Sequence, residues 1–242
     1  MKDGPPLIHM ILADAELEMV PRHYWSHAAV SANAKKRKKK ASRTLLDSSL
    51  HHSIFEDHDD KNRRGRPDIA HFFLLLGLDS LLNSRGGLRL WIHTRNDQLI
   101  EVDPETRLPK SFNRFKGLME DLFLKGAVPN KERPLMSVTG NMAYGSCMNR
   151  IGGYTEDRGR DLIPIVLHNE GEEIVPYDFF SRLRDEGELE GKDLALTIGG
   201  FSHGDFRSDV KGKMRISLHP ELLKVWTVQS EIMVGFRQSL FP

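Results

Sequence analysis

Apolar and polar residues alternate in short blocks along the chain, and most blocks predict one element. The apolar run from Leu7 to Leu12 predicts a buried strand, and the spacing from Ala15 to Ala34 predicts a helix. Leu88 to His93 alternates as a half-buried strand does. The Asn96-Asp97 turn then predicts a hairpin in which Gln98 to Val102 returns as the second strand.

Capping and breaking residues bound two helices in the middle of the chain. Asp68 is placed to cap a helix from Ile69 to Asn83, which Gly86-Gly87 would end. Ser111 is placed to cap a second helix that runs to about Lys125 and ends at Gly126. A further strand is predicted from Leu135 to Val138.

The last third of the chain alternates strands and helices. Strands are predicted from Leu162 to Leu167 and from Leu194 to Ile198, with a helix from Pro176 to Arg184 between them. A short strand ends at Leu218, and Pro220 opens a final helix through Phe236. This alternation predicts an α/β fold with a mainly parallel sheet covered by helices on both faces.

A parallel sheet also predicts where a ligand would bind. Ligands of such sheets lie at the carboxyl ends of the strands. The loops after Leu167, Ile198 and Ile216 are therefore the expected binding region.

Composition limits the class of protein. Of 242 residues, 39% are hydrophobic and 29% charged, a globular balance, and no apolar run reaches the length of a membrane helix. We therefore expect a soluble intracellular protein with no membrane partner. Cys147 is the single cysteine, which excludes an internal disulfide framework.

Charge is uneven although the net charge is only +1. Residues 35–66 contain eleven Lys or Arg against five Asp or Glu. The run from Lys35 to Lys40 either forms a solvated, mobile loop or binds RNA. Residues 41–66 predict a short element followed by a flexible loop.

Two basic segments are candidate RNA contacts. In RRGRPD (63–68), Arg63, Arg64 and Arg66 could bind phosphates, or the segment could be a solvated loop whose Asp68 caps a helix. The second segment spans residues 104–115 and includes three basic residues at spacings of three and four, with two phenylalanines that either stack on bases or pack in the core. These residues are Arg107, Lys110, Arg114, Phe112 and Phe115.

A glycine-rich segment follows the strand that ends at Ile198. Gly199, Gly200 and Gly204 would let a ligand approach the backbone, or they form an ordinary turn. Their spacing does not match the dinucleotide-binding fingerprint. The histidine clusters His23/His27 and His51/His52/His58 lack an HExxH pattern, so no metal is expected.

Several motifs together resemble one known family. They are ILADAELEMVP (11–21), RRGRPD (63–68), LDSLLN (78–83), IHTRND (92–97), PETRLPKSFNRFKGLMEDL (104–122), IGGFSHGDF (198–206) and ISLHPELL (216–223). They resemble the small-subunit ribosomal pseudouridine-N1 methyltransferases, the nucleolar essential protein family of the SPOUT superfamily, in an archaeal form. The resemblance covers nearly the whole chain.

The resemblance implies a fold and an assembly. It implies a single SPOUT domain over residues 1–242, with a C-terminal trefoil knot and with residues 35–66 as a basic extension inserted after the first strand. Such a knot is an exception to the rule against threading. The family resemblance also implies a homodimer.

The resemblance further implies a cofactor and site residues. The cofactor would be S-adenosyl-L-methionine, converted to S-adenosylhomocysteine, without a metal. By position, the cofactor-binding residues would be Leu167, Gly199, Gly200, Gly204, Ile216, Ser217, Leu218, His219, Pro220 and Glu221. The RNA-binding residues would be Arg63, Arg64, Arg66, Arg107, Lys110 and Arg114.

The implied reaction is methylation of N1 of a pseudouridine in a small-subunit rRNA hairpin loop, in the cytoplasm or, in a eukaryote, the nucleolus. Arg66 would stabilise negative charge on the base, and Asp68 would either orient Arg66 or accept the proton. Two alternatives stay open. One is an assembly factor that binds rRNA, with other assembly factors as partners, and for which methylation is secondary. The other is a SPOUT methyltransferase with a different RNA target.

Overall fold

A computed structural model describes residues 4–55 and 62–241 of the chain. The His58 of the predicted histidine cluster lies outside these residues. The described strands are β1 (Ile8–Ala15), β2 (Leu88–Thr94), β3 (Leu99–Val102), β4 (Ala127–Val128), β5 (Met136–Thr139), β6 (Asp161–Glu173), β7 (Lys192–Gly199) and β8 (Met214–Ser217). The described α-helices are α1 (Ala28–Lys36), α2 (Ser48–His51), α3 (Pro67–Leu78), α4 (Leu81–Ser84), α5 (Phe112–Lys125), α6 (Tyr144–Glu156), α7 (Pro176–Asp185) and α8 (Val225–Leu240).

The described strands form one sheet in the order β4-β5-β3-β2-β1-β7-β6-β8. Strands β2, β1, β7, β6 and β8 pair in parallel, whereas β3, β5 and β4 add an antiparallel edge. The predicted β2–β3 hairpin is confirmed, with Ile92 opposite Ile100. The prediction of a mainly parallel α/β sheet is therefore confirmed for five consecutive strands, which run from β2 to the sheet edge at β8.

Side chains of β1 alternate between two apolar cores, one on each face of the sheet. Ile8, Met10 and Leu12 belong to the larger core, to which α3, α5, α7 and α8 also contribute. Ile11 and Ala13 belong to the smaller core, which α6 covers. Burying each large apolar side chain contributes roughly 1.5–3 kcal/mol. Helices thus cover both faces, as predicted.

The predicted helix from Ala15 to Ala34 is wrong over its first half. Residues 16–27 contain no α-helix, and α1 begins only at Ala28, where the His27 ring accepts a hydrogen bond from Ala29 N. The helical spacing carries no information about the partners of Glu16 and Glu18. Both are buried and paired with arginines, so tertiary ion pairs override the local pattern.

The basic run from Lys35 to Lys40 is not a wholly solvated loop. Arg37 donates to both carboxylate oxygens of Glu120 at 2.5 and 2.8 Å, and Lys39 Nζ lies 2.5 Å from Glu120 Oε2. Glu120 lies on α5 and is fully buried, and it also accepts Leu45 N at 3.1 Å. A buried carboxylate needs such partners. Part of the run is therefore anchored to α5, contrary to the mobile-loop interpretation.

Helix α3 differs from its prediction at both ends. It begins at Pro67, and Asp68 lies in its first turn, where its carboxylate pairs with Arg66 rather than capping the helix. The helix stops at Leu78, and residues 81–84 form the separate helix α4, which Ser80 caps. Helix α5 matches its predicted bounds, with Gly126 in the left-handed conformation at φ +81°, but the Ser111 side chain makes no capping hydrogen bond.

Two C-terminal features depart from the pattern. The predicted helix start at Pro220 is wrong, because α8 begins at Val225 and residues 218–224 form a loop. Helix α6 was not predicted, because Gly145, Gly152 and Gly153 weaken a helical pattern. A side chain at each of these glycines would meet open space.

The burial predicted for β2 also differs from the structure. The predicted half-burial of this strand is wrong, because most of its residues are buried.

No helix among residues 4–55 and 62–241 has the length and apolar character required to cross a lipid bilayer. The C-terminal trefoil knot stays a prediction.

Candidate functional site

A pocket lies beyond the carboxyl ends of β7 and β8 and beside the middle of β6, where the sheet is parallel. Its lining combines residues 167–169 within β6 and the segments that follow β7 and β8 with the first turns of α3 and α8. These residues are Arg66, Ile69, Leu167, His168, Asn169, Ile198, Gly199, residues 201–206, residues 216–219, residues 221–226 and Val228. The location agrees with the region predicted after Ile198 and Ile216, whereas the strand end and loop predicted after Leu167 are wrong, because β6 continues to Glu173.

The pocket has apolar walls and a polar rim. Leu167, Ile198 and Ile216 are almost fully buried and present aliphatic surface. Asp205 and Glu221 add carboxylates to the lining. Apolar walls suit a flat ring or thioether, and carboxylates favour hydroxyl groups or a cation. The pocket can therefore hold an elongated ligand that combines these groups.

The three predicted glycines of the loop after β7 have different roles. A Cβ at Gly199 would lie 2.7 Å from the Phe201 ring, so Gly199 lets that ring close against the pocket wall. Gly204 has φ +81°, which favours glycine. Gly200 does not line the pocket; its missing Cβ allows contact with Ala15, since a Cβ would lie 2.6 Å from Ala15 Cα.

The segment after β8 is held by its own hydrogen bonds. The Ser217 hydroxyl donates to His219 O at 2.8 Å and accepts from His219 N at 3.2 Å. The His219 ring accepts from Glu221 N at 3.1 Å. Ile216, Ser217, Leu218, His219 and Glu221 all line the pocket, whereas Pro220 does not.

Asp14 supports the pocket and was missed by the sequence analysis. Its carboxylate accepts hydrogen bonds from Arg207 N at 2.7 Å, Ser208 N at 3.0 Å and the Ser208 hydroxyl at 2.6 Å. Burial by itself would raise the pKa of Asp14, but these hydrogen bonds lower it below the ordinary value. Asp14 has φ 50°, a conformation that the sequence does not reveal.

Arg66 and Asp68 lie at the edge of the pocket. Arg66 lines it, and its guanidinium donates to Asp68 through Nε at 2.8 Å and Nη2 at 2.7 Å. The hydrogen bonds that Arg66 donates to Asp68 raise the pKa of Arg66 above its ordinary value. The side chains are 30% and 32% exposed, so a charged, oriented guanidinium is accessible at the pocket edge.

The structure argues against phosphate contacts by Arg63 and Arg64. Arg63 is buried, with Nε 2.6 Å from Glu16 Oε1. Arg64 donates to both oxygens of Glu18 at 2.6 and 3.0 Å and is mostly buried. Arg63 donates to Glu16 and to the backbone carbonyls of residues 203 and 205, and Arg64 donates to Glu18, so the geometry does not favour the predicted phosphate contacts of these two arginines. The sequence pattern does not show that Glu16 and Glu18 face inward.

The second basic segment presents its charges outward. Arg107, Lys110 and Arg114 are exposed. Phe115 is fully buried and Phe112 is half-buried against the core, which favours the core interpretation of these rings. The segment is attached to α3 and α4 by hydrogen bonds that join His71 Nε2 to Pro109 O at 2.9 Å and Asn83 Nδ2 to Pro104 O at 3.0 Å.

No group of three or more histidine, cysteine or acidic side chains is arranged to hold a metal within the described part of the chain. The site therefore consists of an apolar pocket with a glycine loop, a paired arginine at its edge, and exposed basic residues on a segment attached to the same helix.

This combination of an α/β sheet with a strand-end pocket is also that of a known class of methyltransferases. The family model described as EMG1/NEP1 methyltransferase matches residues 10–237. The chain belongs to this family.

Similar proteins agree with the family assignment. The chain is 41% identical over 241 residues to "Ribosomal RNA small subunit methyltransferase Nep1" of Thermococcus kodakarensis, covering 97% of this chain and 99% of the relative. It is 43% identical over 232 residues to the protein of that name from Methanothrix thermoacetophila, covering 95% of each. The crystal structure of Archaeoglobus fulgidus Nep1 bound to S-adenosylhomocysteine matches with a TM-score of 0.76 at 31% identity, covering 98% of this chain and 99% of the other.

Proposed function

We propose that this chain transfers the methyl group of S-adenosyl-L-methionine to N1 of a pseudouridine in a hairpin loop of small-subunit ribosomal RNA. The observation that carries the proposal is the position of Arg66. Arg66 lines an apolar, glycine-bordered pocket. It lies at the start of α3, the helix to which the exposed basic segment is attached through His71. Relatives named as rRNA small-subunit methyltransferases support the same activity.

The pocket residues fit the cofactor. Leu167, Ile198 and Ile216 supply apolar surface for the adenine ring and the methionine chain. The carboxylates of Asp205 and Glu221 suit ribose hydroxyls or the positive sulfonium. A solved relative that contains the product S-adenosylhomocysteine supports this assignment. When bound, the cofactor supplies an electrophilic methyl group.

Cofactor contacts are proposed for most of the residues expected from the sequence. They are Leu167, Gly199, Gly204, Ile216, Ser217, Leu218, His219 and Glu221, each of which lines the pocket. Gly200 and Pro220 act indirectly: Gly200 by its packing on Ala15, and Pro220 by shaping the loop.

Arg66 orients and stabilises the target base. N1 of the base becomes nucleophilic as its proton passes to solvent, and the ring's imide oxygens carry the resulting negative charge until N1 bonds to the methyl group and S-adenosylhomocysteine leaves. A protonated guanidinium beside those oxygens stabilises that charge. Because both oxygens of Asp68 already accept hydrogen bonds from Arg66, the geometry favours the orienting role of Asp68 over that of proton acceptor.

Arg107, Lys110 and Arg114 bind RNA phosphates in this proposal. They are exposed and lie on a segment that hydrogen bonds fix to α3 and α4. Lysine binds a phosphate as a point charge, whereas arginine can do so through two donors. Base discrimination would come from stacking and hydrogen bonds to an unpaired loop nucleotide.

The remaining features of the proposal concern assembly and location. We propose a cytoplasmic homodimer in which the C-terminal segment forms the trefoil knot and residues 35–66 form the inserted extension. Exposed apolar residues such as Phe72, Tyr177 and Leu222 offer surface for a second copy. In this proposal, other assembly factors are further partners of the complex on RNA.

Label transfer from methyl-labelled S-adenosylmethionine tests the substrate class. The RNAs would be small-subunit rRNA, large-subunit rRNA and transfer RNA, each isolated from cells that lack this enzyme. The proposal expects label only on small-subunit rRNA. Label on transfer RNA would favour the alternative target, and tight rRNA binding without any label would favour an assembly factor.

A further inference from the structure

Arg63 joins two segments that the proposed function assigns to different ligands. It belongs to residues 62–66, which end at the base-orienting Arg66, and its side chain reaches the glycine loop 199–206. Arg63 Nη1 lies 2.5 Å from Asp205 O and 3.4 Å from His203 O. Its guanidinium carbon lies 3.9 Å from the centre of the Phe201 ring. Arg63 is buried and belongs to the same segment as Arg66, and it thus contacts the wall of the proposed cofactor pocket directly.

The backbone beside Arg63 strengthens the same connection. Asn62 O accepts hydrogen bonds from the Ser202 hydroxyl and from His203 Nδ1, each at 2.7 Å. Residues 201–205 line the pocket, so two neighbouring residues of one segment bind the loop at several points.

Glu16 fixes the other side of this connection. Its carboxylate binds Arg63 Nε at 2.6 Å, its backbone N donates to Gly200 O at 3.1 Å, and its backbone O accepts from Arg66 N at 2.9 Å. Glu16 is fully buried. The glycine loop, Arg63 and Arg66 therefore share one rigid anchor.

Phe201 makes the connection sensitive to the contents of the pocket. Its ring packs against Gly199, and both residues line the pocket. A ligand that orders this wall also fixes the ring and the carbonyls that Arg63 contacts. When RNA then binds at Arg66, the protein has less conformational freedom left to lose, so the RNA binds more tightly.

We propose that Arg63 is a positioning residue that couples the cofactor pocket to the RNA-contact segment, so that S-adenosyl cofactor and RNA bind cooperatively. The inference rests on the proposed function for the assignment of the two ligands. Coupling of this kind typically changes affinity by about 5-fold to 150-fold and is reciprocal. Each ligand should therefore increase the affinity of the protein for the other ligand by the same factor.

Fluorescence anisotropy of a labelled hairpin with pseudouridine in its loop measures the coupling. The RNA dissociation constant is determined without and with saturating S-adenosylhomocysteine, which cannot react. We expect the product to tighten RNA binding at least about fivefold in the wild type. Arg63→Gln should reduce this ratio to about one. Arg64→Gln is the matched control, because Arg64 pairs with Glu18 and not with the loop, and it should keep the ratio.

Equal RNA affinity with and without product in the wild type overturns the inference, as does a full ratio in Arg63→Gln. If Arg63→Gln fails to fold, Phe201→Leu decides, because it removes the ring contact and leaves the Glu16 pair. If S-adenosylhomocysteine no longer tightens RNA binding in that variant, the result supports the coupling. If S-adenosylhomocysteine still tightens RNA binding as in the wild type, the inference is overturned. A wild type that binds no S-adenosylhomocysteine at all would instead show that the proposed function is wrong.

Discussion

Arg66 and Asp68 form a two-point ion pair, with Nε–Oδ1 at 2.8 Å and Nη2–Oδ2 at 2.7 Å, at the start of α3. Both residues belong to RRGRPD, and the pair fixes the plane of the guanidinium at the pocket edge. The orientation of one planar cation therefore connects the RNA segment to the proposed chemistry.

Arg66→Lys should slow single-turnover methyl transfer by about 100-fold, because one ammonium cannot reproduce an oriented planar donor in the transition state. Binding of S-adenosylhomocysteine, measured by calorimetry, should change little. A rate near that of the wild type would remove Arg66 from the chemical step.

Asp68→Asn should also slow methyl transfer, by about 10-fold, since the amide offers one acceptor oxygen and loses the charge that orients Arg66. Loss of a negative charge beside the RNA should leave RNA affinity equal or higher. Rates and anisotropy on the same preparation separate the two effects. A weaker RNA affinity together with a full rate would contradict the orienting role.

Arg114→Gln should weaken RNA binding mainly at low salt. Each phosphate contact to single-stranded RNA contributes about 0.7 to the slope of log affinity against log salt, so the slope should become shallower by about that amount. Lys125→Gln is the control on the opposite end of α5, where Lys125 pairs with the exposed Asp121. An unchanged slope in Arg114→Gln would exclude a phosphate contact there.

Glu120→Ala should lower the free energy of unfolding by about 2 kcal/mol, because it removes the partner of Arg37 and Lys39 and leaves the buried Leu45 N–H without its acceptor. The neighbouring Asp121→Ala breaks an exposed pair and should cost no more than about 1 kcal/mol. Urea denaturation of both variants checks the difference. Equal costs would mean that the basic run is not anchored through Glu120.

Because His9 is buried, we expect the free energy of unfolding to fall in mild acid. Burial lowers the pKa of His9. Burial by itself would raise the pKa of Asp193, but the hydrogen bond from Leu7 N and the charge of nearby arginines lower it. The unfolded chain takes up a proton on histidine below its ordinary pKa of 6.5, whereas folded His9 resists it. Stability is therefore complete above that pH and declines below it, by at most about 1.4 kcal/mol per pH unit for one proton.

Unfolding free energies of the wild type between pH 7.5 and about 5 measure this decline. His9→Gln should make the slope shallower without removing it, because burial also lowers the pKa of His51. A wild-type profile without slope in this range would contradict the buried neutral state of His9.

The sequence predicted elements whose signals are local. Ser111 and Gly126 bound α5 correctly, and the Asn96-Asp97 turn identified the β2–β3 hairpin. The pocket region after Ile198 and Ile216 followed from the alternation of strands and helices, because ligands of parallel sheets lie at the carboxyl ends of the strands. These signals depend on backbone preferences that act within a few residues.

The sequence could not predict features that depend on distant partners. Glu16 and Glu18 look like exposed residues of a helix until Arg63 and Arg64, almost fifty residues later, are known to pair with them. For the same reason Arg63 and Arg64 appeared free to bind phosphates. The start of α8 was misplaced because Pro220 suits a first helical turn, whereas residues 218–224 form a loop that lines the pocket with every residue except Pro220.

The most direct test of the central claim is methyl transfer to two hairpins of the same sequence, one with pseudouridine and one with uridine in the loop. Pseudouridine has an N–H at N1, whereas in uridine the same nitrogen carries the sugar. The account predicts label on the pseudouridine hairpin alone, recovered as N1-methylpseudouridine after digestion. Equal label on both hairpins would contradict the proposed target, and label on neither would contradict the proposed activity.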